Sequence, residues 1–161
     1  MGLAELLFAS PSARASATID GKPITIKYGA PSVRGRQIFG DGGLVSKEWA
    51  YPVWRAGANA ATTLTTGADL EVGGLYVPAG TYSIYVLVEN PASWQLIVNR
   101  QTGQRGHIYN RRMDLGRVAM KLDRPKAPVE KLRYSITTTG ATGTIQLEWE
   151  NYVATVPFRA T

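Results

Sequence analysis

The sequence predicts an all-β protein: an antiparallel β-sandwich of jelly-roll type with about ten strands, and a β-barrel as the alternative. Three observations support this prediction. Apolar and polar side chains alternate over several short segments, which is typical of half-buried strands. Turn-forming residues separate these segments at short intervals. Long helical patterns are lacking, so we expect only one short helical turn.

The predicted strands follow one another along most of the chain. The clearest example places Ile24, Ile26 and Tyr28 on one face of a strand and Thr25 and Lys27 on the other. Further strands are predicted at 61–66, 69–72, 75–77, 81–88, 94–99, 117–122, 132–138, 145–150 and 152–158.

Glycine and proline mark the turns between these strands. The pair Gly73 and Gly74 separates two short apolar segments and supplies the positive φ angles that a tight hairpin needs. Other turn signals lie at 20–21, 78–80, 89–91, 102–103 and 140–143. The one helical turn is predicted over 46–50, with Ser46 as its cap and Pro52 at its end.

The length of 161 residues predicts one domain with its own core. We assign residues 10–161 to a single β-sandwich domain and residues 1–9 to a leader remnant or flexible N-terminus. The apolar run in that first segment is broken by Glu5 and is not preceded by Lys or Arg, so it is not a complete secretory signal. No segment reaches the roughly 18 consecutive apolar residues of a membrane helix, which indicates a soluble protein.

The composition narrows the function classes. The net charge of +6 would suit an anionic partner. The chain has no zinc knuckle, helix-turn-helix pattern or aromatic RNA-binding signature, which argues against nucleic acid. The absence of cysteine removes thiol chemistry and disulfides and fits an oxidising compartment. A single histidine and one aspartate in the glycine-rich segment 40–43 do not make a metal site, so we predict no metal and no cofactor.

Two arginine motifs carry the main functional hypothesis. Arg34 and Arg36 lie in the first motif and Arg55 in the second. Each guanidinium must find carboxylates, backbone carbonyls or an anionic ligand for its N–H donors. In the functional interpretation these arginines form an anion or saccharide pocket, with Asn59 adding an amide and Trp54 a stacking surface.

The structural interpretation of the same motifs stays open beside the functional one. In it, the guanidinium groups bridge irregular loops by bonding to backbone carbonyls, while Gly35 and Gly57 allow tight chain reversal. The partners of Arg55 discriminate between the two. Carboxylate and carbonyl partners on every donor would indicate a scaffold, and free donors facing an apolar hollow would indicate a pocket.

A long polar loop over 100–116 contains the only histidine, His107. The loop is either a binding loop or a solvated crossover between sheets. The enzymatic alternative is a small hydrolase or isomerase that uses His107 with the arginines and a carboxylate such as Asp114. That alternative predicts a cleft that brings Arg36, Arg55, Asn59 and His107 within hydrogen-bond reach of one point, and it fails if they lie at opposite ends of the molecule. Because no nucleophile elbow is present, we favour a noncatalytic function.

The candidate ligand-binding residues are Arg34, Arg36, Trp54, Arg55, Asn59, Arg105 and His107. Glu148 and Glu150 are not interpreted as a glycosidase pair. Their spacing places them on one face of a strand, opposite Leu147 and Trp149, and predicts that they face solvent. The predicted partner is therefore a small anionic or saccharide ligand, and the exposed edges of an open sheet leave a monomer and a homodimer both open.

The chain resembles the bacterial domain-of-unknown-function 2911 family from Ser10 to Phe158. The segments that carry the resemblance are ASPSARASATIDGKPITIKYGAPSVRGRQIFG, VWRAGANAATT, VPAGTYSIYVLV, WQLIVNRQTGQ, DLGRVAMKL, APVEKLRYSI and LEWENYVATVPF. The resemblance implies a small β-rich protein that is secreted or associated with the envelope, in the periplasm or outside the cell, with no established reaction. It also implies that Ala60 replaces a common acidic residue and Arg105 a common aromatic one, so that one carboxylate is lost and one cation gained.

Overall fold

The computed structural model describes residues 10–90 and 93–161, with the side chain of Asn90 left aside. The leader remnant or flexible terminus predicted for residues 1–9 lies outside the described residues. Within them the chain forms twelve strands and two 3₁₀ turns. The strands are β1 (Ser12–Ile19), β2 (Lys22–Gly29), β3 (Val53–Trp54), β4 (Thr63–Thr66), β5 (Leu70–Val72), β6 (Leu75–Val77), β7 (Gly80–Asn90), β8 (Ser93–Asn99), β9 (Asp114–Asp123), β10 (Val129–Thr139), β11 (Thr142–Glu150) and β12 (Tyr152–Ala160).

The strands pair antiparallel in one large, nearly closed sheet. Its main path runs β1, β2, β4, β7, β8, β9, β12, β11, β10, while β3 pairs with β7 and the β5–β6 hairpin pairs with β12. One half of the sheet contains β1, β2, β4, β7 and β8, and the other contains β10, β11 and β12. Strand β9 joins these two halves because it pairs with β8 and with β12. The first and last strands of the path, β1 and β10, lie side by side. The all-β prediction is confirmed: the two halves are consistent with the predicted sandwich, and their near closure gives the sheet the barrel-like character of the alternative.

The alternating pattern places one main core between the two halves. On β2, Ile24 and Ile26 are fully buried, whereas Lys27 is exposed. Leu64 from β4 and Ile145 from β11 belong to the same cluster of buried residues. Each such side chain contributes roughly 1.5–3 kcal/mol when it is removed from water, so this core is the main source of stability.

Two strands and one turn were not predicted from the sequence. Strand β1 carries mainly small residues on its inner face, and β3 is only two residues long, so neither has a clear pattern. The predicted helical turn is a 3₁₀ turn at Val45–Lys47. Ser46 does not cap it, because its Oγ donates to the carbonyl of Gly43 at 2.6 Å. A second 3₁₀ turn, Arg111–Met113, is capped by the side chain of Asn110. No helical segment of residues 10–90 and 93–161 has the length and apolar character needed to cross a bilayer.

The prediction that Glu148 faces solvent is wrong. Glu148 is 8% exposed. It lies opposite Arg133 in the β10–β11 pair, and Arg133 Nε donates to Glu148 Oε1 at 2.7 Å. The long, exposed arginine side chain thus covers the carboxylate and neutralises it, which allows a charged residue on the outer face of the strand to be buried.

Candidate functional site

Six of the seven candidate ligand-binding residues line one open cleft of about 550 Å³. These are Arg34, Arg36, Trp54, Arg55, Asn59 and His107, and Arg105 is not among the lining residues. The four residues that the enzymatic alternative requires together therefore share one cleft. Lys47, Glu48 and Trp49, which were not among the candidate residues, also line this cleft.

Strand β3 positions the second arginine motif. Val53 and Trp54 pair with Leu87 and Val86 of β7, which fixes the backbone immediately before Arg55. After Arg55 the chain leaves the sheet in an irregular loop, with positive φ angles at Ala56 and Asn59. Arg55 thus begins at a rigid anchor and faces the cleft from the start of a loop.

Arg55 is held by a carboxylate that the sequence analysis missed. Its Nε donates to Glu48 Oε1 at 2.9 Å, and its backbone N–H donates to Glu48 Oε2 at 3.1 Å. The two side chains are 27% and 13% exposed. No hydrogen bond within the described residues uses the Nη1 or Nη2 of Arg55. The guanidinium of Arg55 is therefore fixed through Nε, while the N–H groups of Nη1 and Nη2 form no hydrogen bond with a described residue. Glu48 lies only seven residues before Arg55, within the predicted turn over 46–50 and directly after the observed 3₁₀ turn, and this spacing was the available signal.

The environment of Glu48 perturbs its acidity. Burial raises the pKa of this carboxyl group above its ordinary value of 4.5, and the charge and hydrogen bonds of Arg55 lower it only in part. His107 lies close enough to lower the pKa of Glu48 slightly as well. Burial is the larger effect, so the pair costs desolvation energy that the ion pair only partly recovers.

The first arginine motif agrees better with the structural interpretation. Arg36 donates from Nε to the carbonyl of Val33 at 3.0 Å and from Nη2 to the carbonyl of Ser32 at 2.6 Å. The backbone N–H of Arg34 donates to Glu130 Oε2 at 2.9 Å. Arg36 thus stabilises its own loop, and this loop is tied to β10 through Glu130.

The two glycines of these motifs have different roles. Gly35 has a φ of +67°, so the predicted tight reversal holds there. Gly57 has no such angle. A Cβ atom at Gly57 would lie 2.5 Å from Oγ1 of the buried Thr62, so this position is glycine because of space.

The aromatic residues of the cleft also differ from the prediction. Trp54 is 2% exposed and stacks on Trp149 with ring centroids 6.0 Å apart, so its faces belong largely to the core. Its indole N–H forms no hydrogen bond with another described residue. Among the described residues of the cleft, Trp49 is the exposed tryptophan: it is 83% exposed and meets His107 edge to face at 5.1 Å. Trp49 replaces Trp54 as the candidate stacking surface.

The loop over 100–116 is anchored to the sheet and is not a crossover. It connects β8 to β9, which are neighbours in the sheet. Gln104 Nε2 donates to Tyr85 Oη at 2.8 Å, and the backbone N–H of Gly106 donates to the carbonyl of Asn59 at 2.9 Å. Ala60 and Arg105, the two positions that depart from the family resemblance, face each other in an isolated β-bridge. These contacts place His107 beside the second arginine motif.

Asp114 is not the partner of His107. It accepts hydrogen bonds from Tyr109 Oη at 2.7 Å, Asn99 Nδ2 at 2.9 Å and Arg117 Nε at 3.2 Å, and it does not line the cleft. Burial and the bond to Asp114 raise the pKa of Tyr109 to about 12. This cluster holds the end of the long loop, and Glu48 is the one carboxylate among the described residues that line the cleft. Among the residues that the structure describes, no three acidic, cysteine or histidine side chains group as metal ligands would.

Comparison with known proteins returns one finding. The family model described as protein of unknown function (DUF2911) matches residues 10–158. No curated protein and no solved structure matches the chain. The matched range has the same limits as the resemblance noted from the sequence segments. Since the match covers nearly the whole chain, this β-protein belongs to the DUF2911 family, whose function is unknown.

Proposed function

We propose that this protein is a noncatalytic binding protein whose cleft takes a small anionic ligand. An acidic saccharide would use the cleft most fully, because its charged group suits the arginines and its ring suits the exposed face of Trp49. The single observation that carries the proposal is that Glu48 fixes Arg55 in position while two of its guanidinium nitrogens form no hydrogen bond with a described residue.

Arg55 combines a fixed position with unused donors. Glu48 binds its Nε and its backbone N–H, so the side chain is oriented before a ligand arrives. Its Nη1 and Nη2 atoms have no hydrogen-bond partner within the described residues, and the side chain lines the cleft. A guanidinium edge of this kind matches the two oxygens of a carboxylate, sulfate or phosphate group. Preorganisation also reduces the entropy that binding costs.

The charge of the cleft supports an anion over a neutral or cationic ligand. Arg34, Arg36, Lys47 and Arg55 line it, and Glu48 is the one carboxylate among the lining residues of the described chain. Because Glu48 is already paired with Arg55, Arg36 and Lys47 give the described lining of the cleft a positive charge beyond that pair. The potential of such a cleft attracts anions and raises their local concentration.

The test compares charged and neutral ligands of the same shape. Glucuronate and glucose, followed by inorganic sulfate and phosphate, are titrated into the protein by calorimetry, and thermal unfolding is recorded with each. We expect binding of glucuronate and not of glucose, and we expect Arg55→Ala to weaken it about ten- to a hundredfold, the value of a charge-assisted bond. Arg111→Ala is the matched control, because Arg111 is exposed and lies outside the cleft. Equal binding by the two variants, or no stabilisation by any anion, would refute the proposal.

The enzymatic alternative keeps one supporting observation. His107 and Glu48 line the same cleft and interact electrostatically. Both oxygens of Glu48 are engaged by Arg55, which argues against a free general base. Turnover of a panel of chromogenic esters and glycosides that is abolished in His107→Gln and retained in Arg111→Ala would favour a small hydrolase over a binding protein.

We also propose that the protein acts outside the cytoplasm, as the family resemblance implies. The absence of cysteine supports this, because a free thiol is a liability in an oxidising compartment. Fractionation of cells that express the natural gene product tests it, and recovery in the cytoplasm alone would contradict it. The sequence leaves a monomer and a homodimer both open, and the mass measured by sedimentation analysis distinguishes them.

A further inference from the structure

We propose that a second pocket, separate from the cleft, binds a small organic cation of the quaternary ammonium type. This aromatic pocket has a volume of about 250 Å³. Its walls contain four aromatic rings and two carboxylates. These residues are Phe39, Tyr51, Trp94 and Tyr152, with Asp41 and Glu89.

The rings form a connected cluster around Phe39. The centroid of Phe39 lies 5.2 Å from that of Trp94 and 4.8 Å from that of Tyr152, and Trp94 stacks on Tyr152 at 5.0 Å. Tyr51 is 42% exposed and is the accessible ring of the pocket, whereas Trp94 is 3% exposed and stacks on Tyr152, so its indole belongs to the packed floor of the pocket. The negative face of an accessible aromatic ring such as Tyr51 attracts a cation within about 6 Å of the ring centroid.

The charge of the aromatic pocket is opposite to that of the rest of the protein. The chain has a net charge of +6, and the cleft is lined by arginines. In contrast, no Lys, Arg or His is among the described residues that line the aromatic pocket. Asp41 and Glu89 are exposed, and neither forms an ion pair with another described residue. Two carboxylates without a cationic partner, beside four rings, favour a ligand that supplies the positive charge.

The size and chemistry of the pocket narrow the class of cation. Its volume is less than half of the 550 Å³ of the cleft, which suits a headgroup and not a large molecule. A quaternary ammonium has no N–H donors, so it gains most from an accessible ring such as Tyr51 and from nearby carboxylates such as Asp41 and Glu89. A primary ammonium is more strongly hydrated and would lose more on entry.

The probe for this proposal is choline, compared with its neutral isostere in which carbon replaces the quaternary nitrogen. Binding of both is measured by calorimetry with the full chain. We expect choline to bind and the isostere to bind much more weakly. Tyr51→Leu keeps an apolar side chain but removes the ring, and we expect it to weaken choline binding about two- to thirtyfold, the range for a cation–π contact. Tyr76→Leu is the matched control, because Tyr76 is 54% exposed and lies outside the pocket.

A second variant tests the carboxylates without changing the rings. The double substitution Asp41→Asn with Glu89→Gln should weaken choline binding and leave the isostere unaffected, whereas Asp20→Asn, in an exposed turn, should change neither. Equal binding of choline and its isostere, or equal affinity in Tyr51→Leu and Tyr76→Leu, would overturn the proposal. Arg55→Ala should leave choline binding unchanged, so this proposal and the anion-binding proposal can fail independently.

Discussion

Removal of the Glu48 carboxylate should destabilise the protein through the donors that it leaves behind. In Glu48→Ala, the Nε and the backbone N–H of Arg55 lose acceptors at 2.9 and 3.1 Å. An unsatisfied donor that is shielded from water costs roughly 1–3 kcal/mol. Because Arg55 is 27% exposed, water replaces part of what is lost. We therefore expect a loss of about 2 kcal/mol, which corresponds to a decrease in Tm of about 4–8 °C for a chain of this length.

The assay is urea unfolding followed by tryptophan fluorescence, with calorimetry for Tm. The matched control is Glu71→Ala, which removes the exposed ion pair between Glu71 and Arg159 at 2.8 Å. Pairs of that kind contribute about 0–1 kcal/mol. If Glu48→Ala costs no more than Glu71→Ala, then the pair does not hold Arg55, and the preorganisation of the cleft is refuted.

The pH dependence of the same position gives a second check. Because burial raises the pKa of Glu48, the stability that its neutral form contributes is complete below pH 4.5 and is lost as the pH rises through the higher folded-state value. Glu48→Gln does not titrate. The stability of this variant relative to the parent should therefore increase as the pH rises, and a difference that is flat with pH would contradict the burial effect.

Three further substitutions test the packing around the site. Gly57→Ala should cost about 1–3 kcal/mol because the new methyl group meets Thr62, and the double substitution with Thr62→Ala should cost less than the sum of the two. If the two costs are additive in the double variant, then the contact with Thr62 is not the cause of the destabilisation by Gly57→Ala. Phe39→Ala should cost up to roughly 3 kcal/mol, the lower end of the range for a fully buried ring, because Phe39 is only partly buried. It should also reduce the near-ultraviolet circular dichroism of the tryptophans, and an unchanged spectrum would contradict the packing of Phe39 against them. Asp114→Asn should lower the pKa of Tyr109 from about 12 in a phenolate titration, since the carboxylate that opposes ionisation is removed. In the parent, the stability that protonated Tyr109 contributes is complete below pH 10 and is lost as the pH rises through about 12. The variant should lose this stability at a lower pH. An unchanged titration of Tyr109 would contradict the role of Asp114.

The strands were predictable because side-chain alternation is a local property. The segment 75–77 has the predicted limits, and the Gly73–Gly74 hairpin has the expected positive φ angles. Strand β1 was missed because alanines on its inner face give no apolar contrast. Strand β3 was missed because two residues cannot show a period.

The candidate site was predictable in its arginines and not in their partners. Arg55 and His107 stood out by residue type, but nothing local places His107 beside Arg55, because loop anchoring by Gln104 depends on distant strands. The burial of Glu148 has the same origin, since it depends on Arg133 across the strand pair. Trp49 was missed because sequence does not distinguish an exposed tryptophan from the buried Trp54.

The 3₁₀ turn at Val45–Lys47 separates two pockets of opposite charge, and Val45 contributes to the walls of both. A ligand that shifts this turn from one side therefore reshapes the other compartment. By thermodynamic reciprocity, whatever factor an anion imposes on cation affinity, the cation must impose on anion affinity. A zwitterionic molecule long enough to span the turn would contact both pockets at once. With two separate ions, the affinity of one measured in the presence of the other would show whether each strengthens or weakens binding of the other.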